Sequence, residues 1–159
     1  MTTLTRSCVA LLAVAFFTTG CGETVDTSSL PDNSGYKDWY RIDVTGDVPG
    51  HFDTYRIIYV NDVARGYDHA GDYPIGSVIV KEIREKNGSD DGALKYIAVM
   101  RQLADGAVSV DLDEGWLFTD VGTDITGEET HVTGCWKNCH VQAPYRGAWF
   151  DYGVGAGAQ

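Results

Sequence analysis

The chain is short of positive charge. Twelve lysines and arginines stand against 23 aspartates and glutamates, a formal charge of −11. A protein that tracks nucleic-acid phosphates carries a basic face to neutralise them, so no nucleic-acid partner is expected. Long apolar runs are scarce as well. Beyond the first twenty residues, none is long and apolar enough to cross a bilayer as a helix. Internal repeats are absent, and 159 residues suit one domain. Hydrophobic residues nevertheless make up 43%, which is ordinary for a globular core and too high for a disordered chain.

Cysteine is scarce too, at four residues, and the N-terminus uses up two of them. Arg6 is the only charge before Glu23, residues 9–17 (VALLAVAFF) form a short apolar run, and the small residues Thr18, Thr19 and Gly20 follow. This is the pattern of a secretory signal peptide, too short for a stable membrane span. Cys21 comes next, as in a bacterial lipoprotein signal, although Thr18 stands where such signals usually carry Leu. On that reading residues 1–20 are removed, and Cys21 becomes the lipidated first residue of an exported lipoprotein whose only hold on the membrane is the lipid. Ordinary cleavage within residues 18–24 would instead leave a soluble periplasmic protein. Cys8 departs with the signal, and only Cys135 and Cys139 remain. An oxidising compartment allows them to pair, but one local bridge cannot staple a whole fold.

Residues 21–35 are small and polar with Pro31 among them, and read as a flexible tether to a domain spanning 36–159. Residues 36–41 suggest a short helix capped by Asp32 or Ser34. Residues 52–60 (FDTYRIIYV) are aromatic and β-branched and predict a strand. Residues 61–66 predict a turn of helix, and 68–74 (DHAGDYP) a loop. A second strand is expected over 75–85, a tight turn over 87–92 (NGSDDG), and a third strand over 93–103, whose periodicity also admits a helix. A fourth strand is expected over 116–121, followed by polar loop over 122–133. The fold class is α+β: mainly antiparallel β-sheet with short helices, one of them carrying the C-terminal cysteines. Strand periodicity puts Phe52, Thr54, Arg56 and Ile58 on one face, and Ile79, Lys81 and Ile83 on one face of the next strand. Burying an ammonium between two isoleucines is costly, so the pattern alone favours a solvated face or a snorkelling Lys81.

The sequence CWKNCH, residues 135–140, holds the chemistry. A c-type haem needs two thiols for its vinyl groups and an imidazole for its iron. With the usual two-residue gap all three side chains share one helical face. Here they stand at i, i+4 and i+5. Five helical positions turn about 500°, so His140 would point roughly 140° away from Cys135. The segment must therefore bulge or unwind within Trp136, Lys137 and Asn138, a distortion that Gly134 assists. Three other readings stand beside haem: a small Cys135–Cys139 disulfide loop, half of a zinc site completed by His131 or His69, and a plain surface histidine.

Several segments together resemble the cytochrome P-460 and cytochrome c′-beta group: YKDWYRI (36–42), HFDTYRIIYVND (51–62), YPIGSVIVKE (73–82), VMRQ (99–102), GWLFTDVG (115–122) and CWKNCH. Asp151 and Tyr152 match a pair that often follows the family's cysteine–histidine motif. The resemblance implies a mainly antiparallel sheet with helices and one covalent haem c. Cys135 and Cys139 would hold it by thioethers, and His140 would be the proximal iron ligand. Lys81 would match the lysine cross-linked to haem in cytochrome P-460, which would place it on the inner face, and Phe52 and Arg56 would lie over the distal face. A proton acceptor is not fixed by any motif, with Glu82, Asp105 and Asp113 as candidates. Two activities are implied. One is oxidation of hydroxylamine with electrons passed to a soluble acceptor; the other is capture of nitric oxide without turnover. Proteins of this group are often dimers.

Overall fold

A computed structural model describes residues 23–44, 53–87 and 90–153. The signal segment, Cys21 and Phe52 lie outside the described residues. Seven strands form one sheet: β1 (Glu23–Thr24), β2 (Tyr40–Val44), β3 (Thr54–Val60), β4 (Val78–Asn87), β5 (Asp90–Gln102), β6 (Trp116–Asp120) and β7 (Thr130–His131). Their order is β1-β7-β6-β5-β4-β3-β2, and every neighbouring pair is antiparallel. Two short α-helices, α1 (Asp62–Arg65) and α2 (Thr133–Asn138), complete the expected α+β fold.

The four strands expected from β-branched and aromatic runs are β3 to β6, and residues 93–103 resolve in favour of strand. The turn of helix at 61–66 is α1. Asn61 caps it by accepting from the Ala64 N–H at 3.0 Å. The same Asn61 oxygen accepts from the Val78 N–H at 3.0 Å, and its amide donates to the Gly76 carbonyl at 2.9 Å, which ties α1 to the start of β4.

Four expectations change. The helix expected over 36–41 is a single 3-10 turn, Tyr36–Asp38, after which Trp39 is extended and the chain enters β2. Asp32 caps no helix. Its carboxylate accepts from the backbone and hydroxyl of Ser34, a local turn that uses both groups. The expected tether is not free of the domain over its described part: β1 pairs with β7, Val25 is buried beside Leu103, Val110 and Leu117, and Asn33 is buried too. The polar loop expected over 122–133 contains β7.

The sheet is covered on both faces. Ile58, Val60, Ile79, Met100, Trp116 and Phe118 pack on one side with Tyr67, Tyr73, Trp136 and Tyr152. On the other, Ile57, Tyr59, Val78, Val80, Ile97 and Val99 pack with Tyr36 and Val121. A strand covered on both faces shows no clean apolar–polar alternation. That is why the sequence of β4 left the side of Lys81 open.

Candidate functional site

Lys81 is buried, with 5% of its surface exposed, and does not lie on a solvated face. It sits in a row of directly paired residues across four strands: Ile58 on β3, Lys81 on β4, Ala98 on β5 and Asp120 on β6. Side chains in one row share a face. Ala98 is small, so room remains over it between the lysine and the aspartate. The neighbouring row sets Met100 opposite Phe118. Tyr96, two residues before Ala98, shares the face. Lys81, Ala98, Asp120, Met100, Phe118 and Tyr96, together with Val132, Cys135 and His140, wall one largely apolar cavity.

The C-terminal segment closes that cavity. Helix α2 carries Cys135 and runs regularly through Trp136, Lys137 and Asn138. The distortion demanded by the three-residue gap falls one residue later than expected, at Cys139, which leaves helical geometry at φ −135°, ψ −60°. Its N–H still reaches the carbonyls of Cys135 and Trp136. A 3-10 turn, His140–Gln142, then swings the imidazole inward. His140 is buried, and its ring lies 4.8 Å from that of Phe118. Both cysteines are half-buried free thiols.

Gly147 fixes the imidazole. His140 Nδ1–H donates to the Gly147 carbonyl at 2.6 Å, which leaves Nε2 with its lone pair. Gly147 lies at φ +86°, and a Cβ there would come within 2.9 Å of Trp136 and 3.0 Å of Trp116. Only glycine accepts both that dihedral and that approach. Nothing in the sequence marked this residue.

The electrostatics suit a neutral donor set. Burial, then the Lys81 charge, lowers His140 to about 4 against the opposing bond to Gly147, so the ring is neutral near pH 7. Burial, then the Arg56 guanidinium, brings Lys81 down to about 8. Burial pushes the Cys135 thiol up, with Lys81 opposing. Arg56 is wholly buried on the same sheet face, one row from Lys81.

None of the three expected carboxylates lines the cavity. Glu82 is buried on the opposite face, where it accepts from the Tyr36 hydroxyl and from Arg84 Nε at 2.8 Å. Asp105 is exposed in the loop after β5. Asp113 is half-buried, raised by burial, and outside the cavity wall. The carboxylate in the wall is Asp120. The histidines weighed as zinc ligands are also elsewhere. His69 Nε2 is 2.9 Å from Asp151 at the surface, and His131 is buried on β7. Among the described residues no group of three or more His, Cys, Asp or Glu is placed to hold a metal ion.

Residues 33–150 match the cytochrome P460 family, a span that includes the whole cavity and its closing segment. The chain belongs to the cytochrome P460 family. No curated protein sequence matches it. The cofactor implied by the cytochrome P460 family is haem, and the donor set fits one: the Cys135 thiol and a neutral, oriented imidazole line one apolar cavity, and the second free thiol, Cys139, immediately precedes that histidine but is not in the cavity wall.

Proposed function

We propose that this cytochrome P460 protein carries one covalent haem c and oxidises hydroxylamine at it. The observation that supports this most is the burial of Lys81 in the wall shared with Cys135 and His140. An apolar cavity gains nothing in stability from a buried amine, so the lysine is there for chemistry.

In this reading Cys135 and Cys139 would hold the haem through thioethers, and His140 Nε2 would bind the iron. Bound there, the haem supplies an open coordination position and takes up electrons. The rest is the work of the chain. Gly147 holds the imidazole in one tautomer, and Lys81 would offer the haem an amine on the sheet wall, its proton made easier to lose by burial. Arg56 places a fixed positive charge on the same face to polarise a bound nitrogen species. Asp120 accepts the proton that leaves with each electron. The protein is exported, is held to the membrane by a lipid on Cys21 or free in the periplasm, and passes electrons to a soluble acceptor.

A second reading is a protein that binds nitric oxide without turnover, as suggested by the apolar part of the wall, Ala98, Met100, Phe118 and Val132. One experiment separates the readings. The chain is expressed with cytochrome c maturation machinery, and a denatured intact mass and absorption spectrum are recorded. A mass raised by one haem and steady hydroxylamine oxidation are expected, and Lys81→Ala should change the ferrous spectrum. Haem with stoichiometric nitric oxide binding and no turnover would favour the second reading. A mass lower by about two protons with no haem would mean a Cys135–Cys139 disulfide instead.

A further inference from the structure

Behind the candidate haem site the aromatic residues form a line that the proposed chemistry does not use. It begins at His140, bonded through Nδ1 to the Gly147 carbonyl. The preceding carbonyl, Arg146, accepts from Trp116 Nε1–H at 2.8 Å, so one short backbone bridge joins imidazole to indole through two hydrogen bonds. The Trp116 ring lies 5.3 Å from that of Tyr73. Tyr73 stacks on Tyr67 with centroids 4.1 Å apart. Tyr67 meets His69 edge-on at 5.1 Å, at the start of the exposed loop 68–72. Trp116, Tyr73 and Tyr67 are all buried.

Indole and phenol are the side chains most easily oxidised by one electron after the thiols. Phe118 also touches His140, but a phenyl ring is far harder to oxidise, and its other ring partner among the described residues is Trp136, on α2. The two tyrosines differ in where their protons can go. The Tyr67 hydroxyl donates to the Gly71 carbonyl at 3.1 Å, in the exposed loop, so a proton lost there reaches water. Tyr73 is deeper, and burial raises it far above an ordinary phenol, so any oxidation there is brief and passes on to Tyr67, whose proton has a way out.

We propose that Trp116, Tyr73 and Tyr67 form a relay that carries oxidising equivalents from the haem site to the surface when the protein meets a peroxide. The inference rests on the haem attachment proposed above. Hydrogen peroxide takes up two electrons and two protons, its O–O bond breaks, and two waters form. One electron comes from the haem, which regains it, with a proton for the second water, from a further molecule of a small phenol or thiol. The other is drawn from Tyr67 through Tyr73 and Trp116, and the phenolic proton passes to water at loop 68–72. The tyrosyl radical left at Tyr67 is then reduced by a small phenol or thiol that gives up a hydrogen atom. The relay thus protects the cavity and creates a second oxidation site, some distance from the ligand pocket.

The test uses haem-loaded protein whose attachment is confirmed by denatured mass. It is mixed with hydrogen peroxide, frozen within milliseconds, and examined by electron paramagnetic resonance. The expected result is a tyrosyl signal in the parent protein that is lost or altered in Tyr67→Phe and absent in the Tyr67→Phe, Tyr73→Phe pair, with several-fold faster bleaching of the haem. Phenylalanine keeps the ring stack, so both variants should fold. Tyr55→Phe, on the far face of the sheet, should keep the signal. Haem-loaded protein that shows no organic radical, or the same radical in the double variant, would overturn the relay and leave the haem reading intact. A mass without haem would overturn both.

Discussion

His140 donates to the carbonyl of Gly147 across a turn of seven residues, and the two are bound to one fate. The glycine sits at φ +86°, pressed against Trp136 and Trp116. A β-carbon there meets strain and two indoles together. Gly147→Ala is expected to cost roughly 1–3 kcal/mol of stability, the usual range for a residue forced into such a backbone region. It should also loosen the imidazole. Urea unfolding measures the first, and the His140 ring signals in nuclear magnetic resonance report the second. Unchanged stability together with an unchanged ring environment would show that the turn tolerates the methyl.

The same buried imidazole makes the haem-free chain sensitive to acid. His140 titrates near 6.5 when unfolded and about 4 when folded, with burial the main cause. Between those values the unfolded state binds more protons, so stability falls as pH drops from about 6.5 to about 4 and is fully present above 6.5. A shift of that size corresponds to about 3 kcal/mol at 1.4 kcal/mol per pH unit. Urea midpoints of the haem-free chain should therefore fall over this window. His140→Asn should flatten that part of the curve while leaving the contribution of the carboxylates. Parallel curves for the two proteins would count against a depressed histidine.

The cysteines should be separable in their effect. Cys135 lies within α2 and in the cavity wall, whereas Cys139 lies where the helix breaks and outside that wall, so the two thiols stand in different backbone geometry. Cys135→Ser and Cys139→Ser are each expected to retain one thioether, giving a mass still raised by one haem but a spectrum shifted by one unreacted vinyl group. The double variant should carry none. Denatured mass and a pyridine haemochrome spectrum check this. Full covalent haem in the double variant would place attachment elsewhere in the chain.

What could be read from the sequence follows from how each element is stabilised. Strands β3 to β6 lie mostly in the buried middle of the sheet, so their β-branched and aromatic runs announced them. β2 is an edge strand with three of its five residues exposed, and Arg41 and Asp43 interrupt its Tyr, Ile and Val, so it did not stand out beside the helical look of YKDWYR. β1 and β7 are two residues each, held by tertiary pairing that no local pattern encodes. The site was partly legible. Cys135, His140 and Lys81, which the motif and the resemblance had singled out, line one cavity, while Cys139 is not in its wall. Ala98 and Asp120 were not found, and the reason is geometric. The pairing that begins at Asn87 and Asp90 shifts by one residue at two irregularities, so Lys81 meets Ala98 and not Tyr96. Two such shifts restore the face but move the partner by two positions. Gly147 was invisible because its role lies in a carbonyl and a missing side chain.

The last expectation concerns the far end of the sheet, where Arg101 and Glu129 form a buried bidentate pair at 2.5 and 2.6 Å. Thr119 donates to the same carboxylate at 2.5 Å, and both charged residues are at least 95% buried. Asn33 reaches the guanidinium from the N-terminal segment, with its side-chain oxygen 3.3 Å from Arg101 Nε. The pair therefore fastens residues 23–33 to β5 and β6. Replacing such a pair by apolar groups can be neutral, but removing one partner leaves a buried charge alone. Glu129→Gln is expected to cost about 3–5 kcal/mol, because Arg101 then lacks its counter-charge in a place water reaches poorly. Arg101→Met with Glu129→Leu should recover most of that loss. The double variant also separates charge from docking. If residues 23–33 are held mainly by Asn33 on Arg101, limited proteolysis will cut them in the double variant even though urea stability has returned. If Val25 and β1 hold them, the segment will stay protected.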